Sequence, residues 1–174
     1  MKVKYFDLKN KKVFITGGGS GIGASIVEHF CEQECEVYFV DINKKDSNKL
    51  IKDLKKKGLK TPNFIECNLI NIKKLEGTIK NIIKSKGPID ILINNAANDD
   101  RHSTDKVDEK YWNNRMDVNL KHFFFTIKAV LKGMIKNKGG AIVNLSSVSW
   151  MLGEGDKVAY ETAKSAVIGL TRSF

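Results

Sequence analysis

Proline is nearly absent from this chain, two residues in 174, and cysteine is scarce, at three. With 41% hydrophobic, 29% charged and 9% aromatic residues, the composition excludes a disordered or proline-rich tract and fits one globular domain over residues 1–174. No apolar run approaches the roughly 18 residues of a membrane-spanning helix. The opening MKVKYFDLKNKKVFITGG lacks both an uninterrupted apolar segment and a small-residue cleavage site, so no signal or transit peptide is read and a cytoplasmic protein without membrane partners is expected. Cys31, Cys35 and Cys67 are odd in number and contain no CxxC pair, which argues against a disulfide framework or thiol redox motif. No His, Asp or Glu cluster completes a ligand set around Cys31 and Cys35, and no metal is expected. Arginine is scarce too. All but three of the 30 basic residues are lysine, the exceptions being Arg101, Arg115 and Arg172. The net charge of +10 raises nucleic acid as a partner, but the guanidinium suited to bidentate contacts is largely missing. The densest lysines, Lys44 to Lys60, read as the solvated face of an amphipathic helix whose other face carries Leu50, Ile51 and Leu54. A nucleic-acid partner is therefore not expected.

What is present is alternation. Short β-branched or aromatic runs at Val13 to Thr16, Glu36 to Asp41, Asn63 to Cys67, Ile89 to Ile93 and Ala141 to Leu145 alternate with helical stretches near 21–33, 46–57, 71–86, 108–137 and 158–174. That is the pattern of βαβ units around a parallel sheet, hence an α/β fold. The helix at 108–137 is expected to be long, starting at an Asp108 N-cap and stopping before Gly139-Gly140. Its apolar excess, including Phe123, Phe124 and Phe125, is a candidate subunit interface, with burial against the sheet as the alternative.

Three constellations carry chemistry. The first strand runs into Thr16-Gly17-Gly18-Gly19-Ser20-Gly21-Ile22-Gly23 and then a helix, where backbone N–H groups and the helix N-terminus favour an anion; a tight turn without ligand is the alternative. Asp41 ends the second strand, where a carboxylate can bond the ribose hydroxyls of a dinucleotide and repel a 2′-phosphate, so NAD is expected over NADP. Tyr160 and Lys164 stand four apart on one helix face, which brings an ammonium beside a phenol. A free phenol has a pKa near 10, and a fixed positive charge favours the phenolate, a useful general base. Ser147, just past the fifth strand, lies at the carboxyl edge of the sheet, where its hydroxyl can bond a reacting oxygen.

Taken in order, TGGGSGIG, Asp41, Asn94-Asn95-Ala96-Ala97, Asn119 in DVNL, the NLSS of 144–147 and the YETAK of 160–164 resemble the short-chain dehydrogenase/reductase family along the whole chain. The resemblance implies a Rossmann-type, doubly wound parallel sheet. It also implies Tyr160 as catalytic acid/base, Lys164 as the residue that binds the nicotinamide ribose and supports the phenolate, Ser147 on the substrate oxygen and Asn119 in a proton relay. Gly17, Ser20, Gly21, Ile22 and Gly23 would form the pyrophosphate turn, Asp41 would bind the adenosine ribose, and Asn68, Leu69, Asn95 and Ala96 would line the cofactor. Asn68 and Ala97 depart from the family's usual aspartate and glycine. The loops holding Asp99, Arg101, Ser149 and Trp150 resemble those of aldose 1-dehydrogenases, xylose and galactose dehydrogenases among them. They offer a sugar polar partners and an apolar face, the alternative being a loop salt-bridge network with Trp150 filling a core gap.

The expected function is NAD-dependent hydride transfer from a sugar hydroxyl. The rivals are a 3-oxoacyl or hydroxysteroid carbonyl reductase, or a cofactor-binding fragment without turnover. The last arises because the chain stops inside the helix that begins near Tyr160, and the family resemblance implies further C-terminal strands. An incomplete, inactive or nearly inactive domain is the expectation on that ground. Association through the helices at 108–137 and 158–174 is expected of the intact parent.

Overall fold

A computed structural model describes residues 3–174. Five parallel strands, β1 (Lys12–Thr16), β2 (Glu36–Asp41), β3 (Asn63–Glu66), β4 (Ile91–Asn94) and β5 (Ala141–Asn144), form one sheet in the order β3-β2-β1-β4-β5. Side chains alternate across a strand, and β1 shows the consequence. Val13 and Ile15 enter one core with Val27, Cys31, Phe39 and Leu54, whereas Phe14 enters the other with Leu75, Ile79, Leu92, Ile127 and Val130. Burial on both faces is why β1, β2 and β4 read as near-continuous apolar runs, whereas the outer strands β3 and β5 carry exposed residues.

The first core lies under α1 (Gly21–Glu32) and α2 (Lys44–Lys56), and the second under α3 (Ile72–Lys86) and the long helical segment after β4. Side-chain caps start three of the helices. Asn43, Asn71 and Asp108 accept the N–H groups of Asp46, Lys74 and Tyr111 at 3.1, 3.0 and 2.7 Å. The cysteines are free and buried, and burial pushes the Cys31 and Cys35 thiols up to about 12 and about 11.

The structure corrects the expectation of a regular helix over 108–137. It comprises α4 (Glu109–Met116), a π-helical stretch at Asp117–Lys121, and α5 (His122–Lys136). The wider turn rotates the faces of α5 relative to those of α4. Thus Asn119, His122 and Phe123 are all fully buried, while Phe124 points outward. After β5 come the single turn α6 (Ser149–Leu152), which periodicity did not reveal, and α7 (Val158–Arg172). Among the described residues no helix is long and apolar enough to cross a membrane.

Candidate functional site

The strand order reverses between β1 and β4, so the connections leaving their carboxyl ends diverge and open a crevice, the general position for ligands in open α/β sheets. A cleft of about 660 Å³ lies there. Gly17 turns the chain out of β1 with φ +66°, and a Cβ on it would lie 2.8 Å from the Ala96 Cα. A Cβ on Gly23 would lie 1.8 Å from the Gly17 carbonyl oxygen. Only hydrogen fits at either place. Beyond them Ser20, Gly21, Ile22 and Gly23 line the cleft. The Ser20 side chain does not cap α1, and no acidic residue stands in the first turn. The first-turn N–H groups, which a helix cannot pair internally, are thus left for a ligand.

Asp41 lines the same cleft and holds the turn in shape, its carboxylate accepting the Gly19 and Asn43 N–H groups at 2.8 Å each. Asn95 closes the opposite wall, its amide donating to the Thr16 and Gly17 carbonyls at 3.0 and 2.9 Å. The Thr16 hydroxyl accepts the N–H groups of Asn95 and Ala96 at 3.0 and 3.1 Å. Thr16 is thus a working residue: it heads the glycine motif, which by itself assigns it no role, and its place directly before the glycines was the available signal. Asn68, Leu69 and Ala96 also line the cleft, and Asn68 Oδ1 accepts the Ile70 N–H at 3.1 Å. A dinucleotide fits this donor set: open N–H groups for a pyrophosphate and a carboxylate for ribose hydroxyls.

A second cluster forms where α7 meets β5. Lys164 is 1% exposed; its Nζ donates to the Leu145 carbonyl at 2.7 Å and lies 5.2 Å from the Phe123 ring centre and 5.8 Å from that of Tyr160. Desolvation pushes its ammonium down to about 8. The Ser146 hydroxyl donates to the Lys164 carbonyl at 2.6 Å. Ser147 Oγ lies 2.9 Å from Ser149 Oγ and accepts the Ser149 N–H at 3.2 Å, so Ser149 sits behind Ser147 as its partner. A polar chain, buried at Thr126 and Asn94 and exposed at Thr171, pins α7 to the sheet: Thr126 donates to Asn94 at 2.7 Å, Asn94 to Asn144 at 2.9 Å, and Asn144 to Thr171 at 3.1 Å.

Asn119, fully buried in the π-helical stretch, braces the cleft. Its side chain accepts the Asn98 N–H at 2.7 Å and donates to the Asn98 carbonyl at 3.0 Å, clamping the loop after β4. Of the proposed sugar-loop residues, Asp99 is exposed on the rim of the cleft, while Arg101 and Trp150 lie outside its lining. The loop is braced instead by neighbours. Arg115 pairs with Asp100 at 3.2 Å, Tyr111 Oη meets His102 Nδ1 at 2.8 Å, and the His102 N–H donates to the Asp156 carbonyl at 2.7 Å. Glu154 pairs with Lys157, which together with Arg101 holds its carboxyl below the usual range.

Comparison with known proteins places this geometry in company. A family profile described as short chain dehydrogenase matches residues 11–174. The D-xylose 1-dehydrogenase of Caulobacter vibrioides is 45% identical over 97% of this chain and 66% of its own length. The "Probable galactose dehydrogenase GalD" of Rhizobium meliloti is 40% identical over 96% of this chain and 65% of its own. Among solved structures, the ligand-free aldohexose dehydrogenase of Thermoplasma acidophilum superposes with a TM-score of 0.84 at 31% identity, covering 97% of this chain and 62% of that one. The chain thus spans somewhat less than two thirds of the length of these relatives.

Proposed function

From the premise that the chain belongs to the short chain dehydrogenase family, we propose that it is the cofactor-binding and catalytic part of an NAD-dependent dehydrogenase acting on an aldose hydroxyl. What carries this reading is a glycine-lined cleft at the carboxyl ends of β1 and β4 together with a buried ammonium over the Tyr160 ring, bonded just past the end of the neighbouring β5. Gly17, Ser20, Gly21, Ile22 and Gly23 would hold the pyrophosphate, and Asp41 the adenosine ribose. Asn68, Leu69, Asn95 and Ala96 would line the remaining wall, with Lys164 on the second ribose. When bound, NAD supplies the hydride acceptor, chemistry that no side chain provides.

The chain's own work is proton transfer and orientation. Tyr160 takes the hydroxyl proton as general base. Lys164 is held in register for this by its bond to Leu145. Ser147, oriented by Ser149, donates to the reacting oxygen. Asn119 positions the Asn98 loop and stands in the proton path. The aldose preference rests on the names of the two curated relatives and on Asp99 at the rim of the cleft. A carboxylate at Asp41 argues for NAD, because a 2′-phosphate would meet its charge.

The test is a screen of NAD and NADP reduction against aldoses, simple alcohols and 3-hydroxyacyl thioesters. Aldose-dependent reduction of NAD, at least tenfold better than of NADP and lost in Tyr160→Phe with NAD affinity retained, is the expected outcome. Thioester turnover without aldose turnover would replace the sugar reading with that of a 3-oxoacyl reductase. NAD binding without turnover of any substrate would replace catalysis with cofactor binding alone.

A further inference from the structure

Between β4 and α4 the chain passes the cleft, which Asn98 and Asp99 line, and alternate residues of that passage are tied down. Both backbone groups of Asn98 are held by Asn119, and the Asn98 side chain reaches past Asp99 to accept the Asp100 N–H at 2.9 Å. The Asp100 carboxylate meets Arg115 at 3.2 Å, and the His102 N–H reaches the Asp156 carbonyl at 2.7 Å. Asp156 takes a left-handed backbone conformation, φ +53°, uncommon for a residue with a side chain. The residues between the ties, Asp99 and Arg101, are exposed; of the two, Asp99 lines the cleft. Tyr111 stands at the centre of these ties. It lies in the first turn of α4, its N–H capped by Asp108, and Arg115 follows one turn later on the same face. Its Oη lies 2.8 Å from His102 Nδ1 and 3.3 Å from the Asp100 carbonyl oxygen. Its ring meets the His102 ring at 4.8 Å between centres, and the Arg115 guanidinium lies over it at 4.9 Å. His102 Nε2 and Arg115 Nε are buried with no partner among the described residues, a cost that an arrangement serving stability alone would avoid.

We propose that Tyr111, with Arg115 stacked on it, is a positioning residue for Asp99: the two side chains fix the passage at 98–102, so that the Asp99 carboxylate stands preformed at the rim of the cleft as an acceptor for the hydroxyl groups of a sugar. A carboxylate only accepts hydrogen bonds. It therefore suits a neutral ligand rich in hydroxyl groups and opposes a phosphate. Held on a free loop, it would have to be ordered at every binding event, and that loss of freedom would weaken the complex; a loop already fixed by its neighbours avoids the loss. The bond from His102 to Asp156 carries the same order to the segment four residues ahead of Tyr160. The rim and the approach to the general base thus keep one spacing. This role deepens the dehydrogenase reading and rests on it for the nature of the ligand.

The test begins with the cofactor-free, 15N-labelled chain. Wild type should show backbone order parameters of about 0.85 across 98–102, and Tyr111→Phe, which keeps the ring but loses the hydroxyl, should fall below about 0.6 at Asp99. The Asp100 and His102 amides should exchange faster in the variant while β1 and β4 remain protected. With NAD present, D-xylose or D-galactose should bind about fivefold more weakly to Tyr111→Phe, with NAD affinity unchanged. Asp99→Ala should weaken sugar binding as well, and adding Tyr111→Phe to it should cost nothing further, because the tyrosine acts through that carboxylate. A loop equally ordered in wild type and Tyr111→Phe would overturn the proposal, as would undiminished sugar affinity in that variant or a further loss in the double variant. Wild type that binds NAD but neither sugar would overturn the ligand assigned to Asp99. Wild type that binds neither NAD nor sugar would overturn the dehydrogenase reading and that ligand with it, while the order parameters still decide the bracing role.

Discussion

Lys164 is buried against its own interest, and the cost has a pH signature. Its ammonium loses its proton at about 8, against an ordinary 10.5. Below about pH 8 the group is charged in both folded and unfolded chains, and the burial penalty is fully present. Between about 8 and 10.5 the unfolded chain retains a proton that the folded chain has released, so this residue makes stability rise with pH across that window. The full effect is on the order of 3 kcal/mol. Lys164→Met should therefore raise stability at neutral pH and remove this rise, which urea unfolding at a series of pH values would measure as a wild-type-minus-variant difference. The proposed dehydrogenase chemistry would account for such a residue, since it calls for an ammonium beside Tyr160.

At the scale of elements, the turn from β1 to α1 and the π-helical stretch do different kinds of work. In the turn, Gly23 is excluded from bearing a side chain by the Gly17 carbonyl, whereas a methyl group on Gly21, at φ +52°, would meet no atom within 4 Å. Gly23→Ala should disrupt the turn and lower the melting temperature sharply. Gly21→Ala should incur only a left-handed backbone strain of about 1 kcal/mol while its methyl enters the cleft, so it should fold and bind NAD at least tenfold more weakly. Parallel thermal melts and cofactor titrations separate the two effects. In the π-helical stretch, the Asn119 amide is matched to the Asn98 backbone by two hydrogen bonds. Asn119→Ala should cost about 2 kcal/mol, and amide exchange should accelerate at Asn98 and its neighbours while β1 and β4 remain protected.

For the molecule as a whole, the outer face of α5 matters most. Phe124, Ile135 and Phe174 are exposed, and with Leu131 and the stems of Lys128 and Lys132 they surround an apolar hollow of about 300 Å³. Phe123, one residue earlier, is core. The two readings of the phenylalanine run thus divide residue by residue: burial for Phe123, an outward face for Phe124. Association through this face and α7, expected of the intact parent, would make that parent's apparent mass rise with concentration in sedimentation velocity. Ile135→Lys should reduce that rise with little change in the melting temperature, and an unchanged mass profile in the variant would remove this face from the interface. At the sheet edge, β5 alternates between exposed and half-buried residues, with Val143 47% exposed.

The alternation of strands and helices, the glycine turn, Asp41 at the end of β2, and the Tyr160–Lys164 spacing were legible in the sequence because each is local. Strand burial shows as an apolar run, a phosphate turn needs glycine at fixed offsets, and residues four apart share a helix face. The Asp108 cap was legible for the same reason. Tertiary structure decided what depends on contacts between distant segments. The shift at Asp117–Lys121 answers to packing against α7 and to the Asn98 loop, neither of which a 3.6-residue periodicity records, and it helps set which residues of α5 turn inward. The same holds for Thr16, whose hydroxyl works only because β4 lies next to β1, and for Ser149, whose service to Ser147 depends on the turn of α6. Composition and spacing placed the chemical groups on their own elements; the sheet order, by bringing β1, β4 and β5 together, determined which of those groups meet.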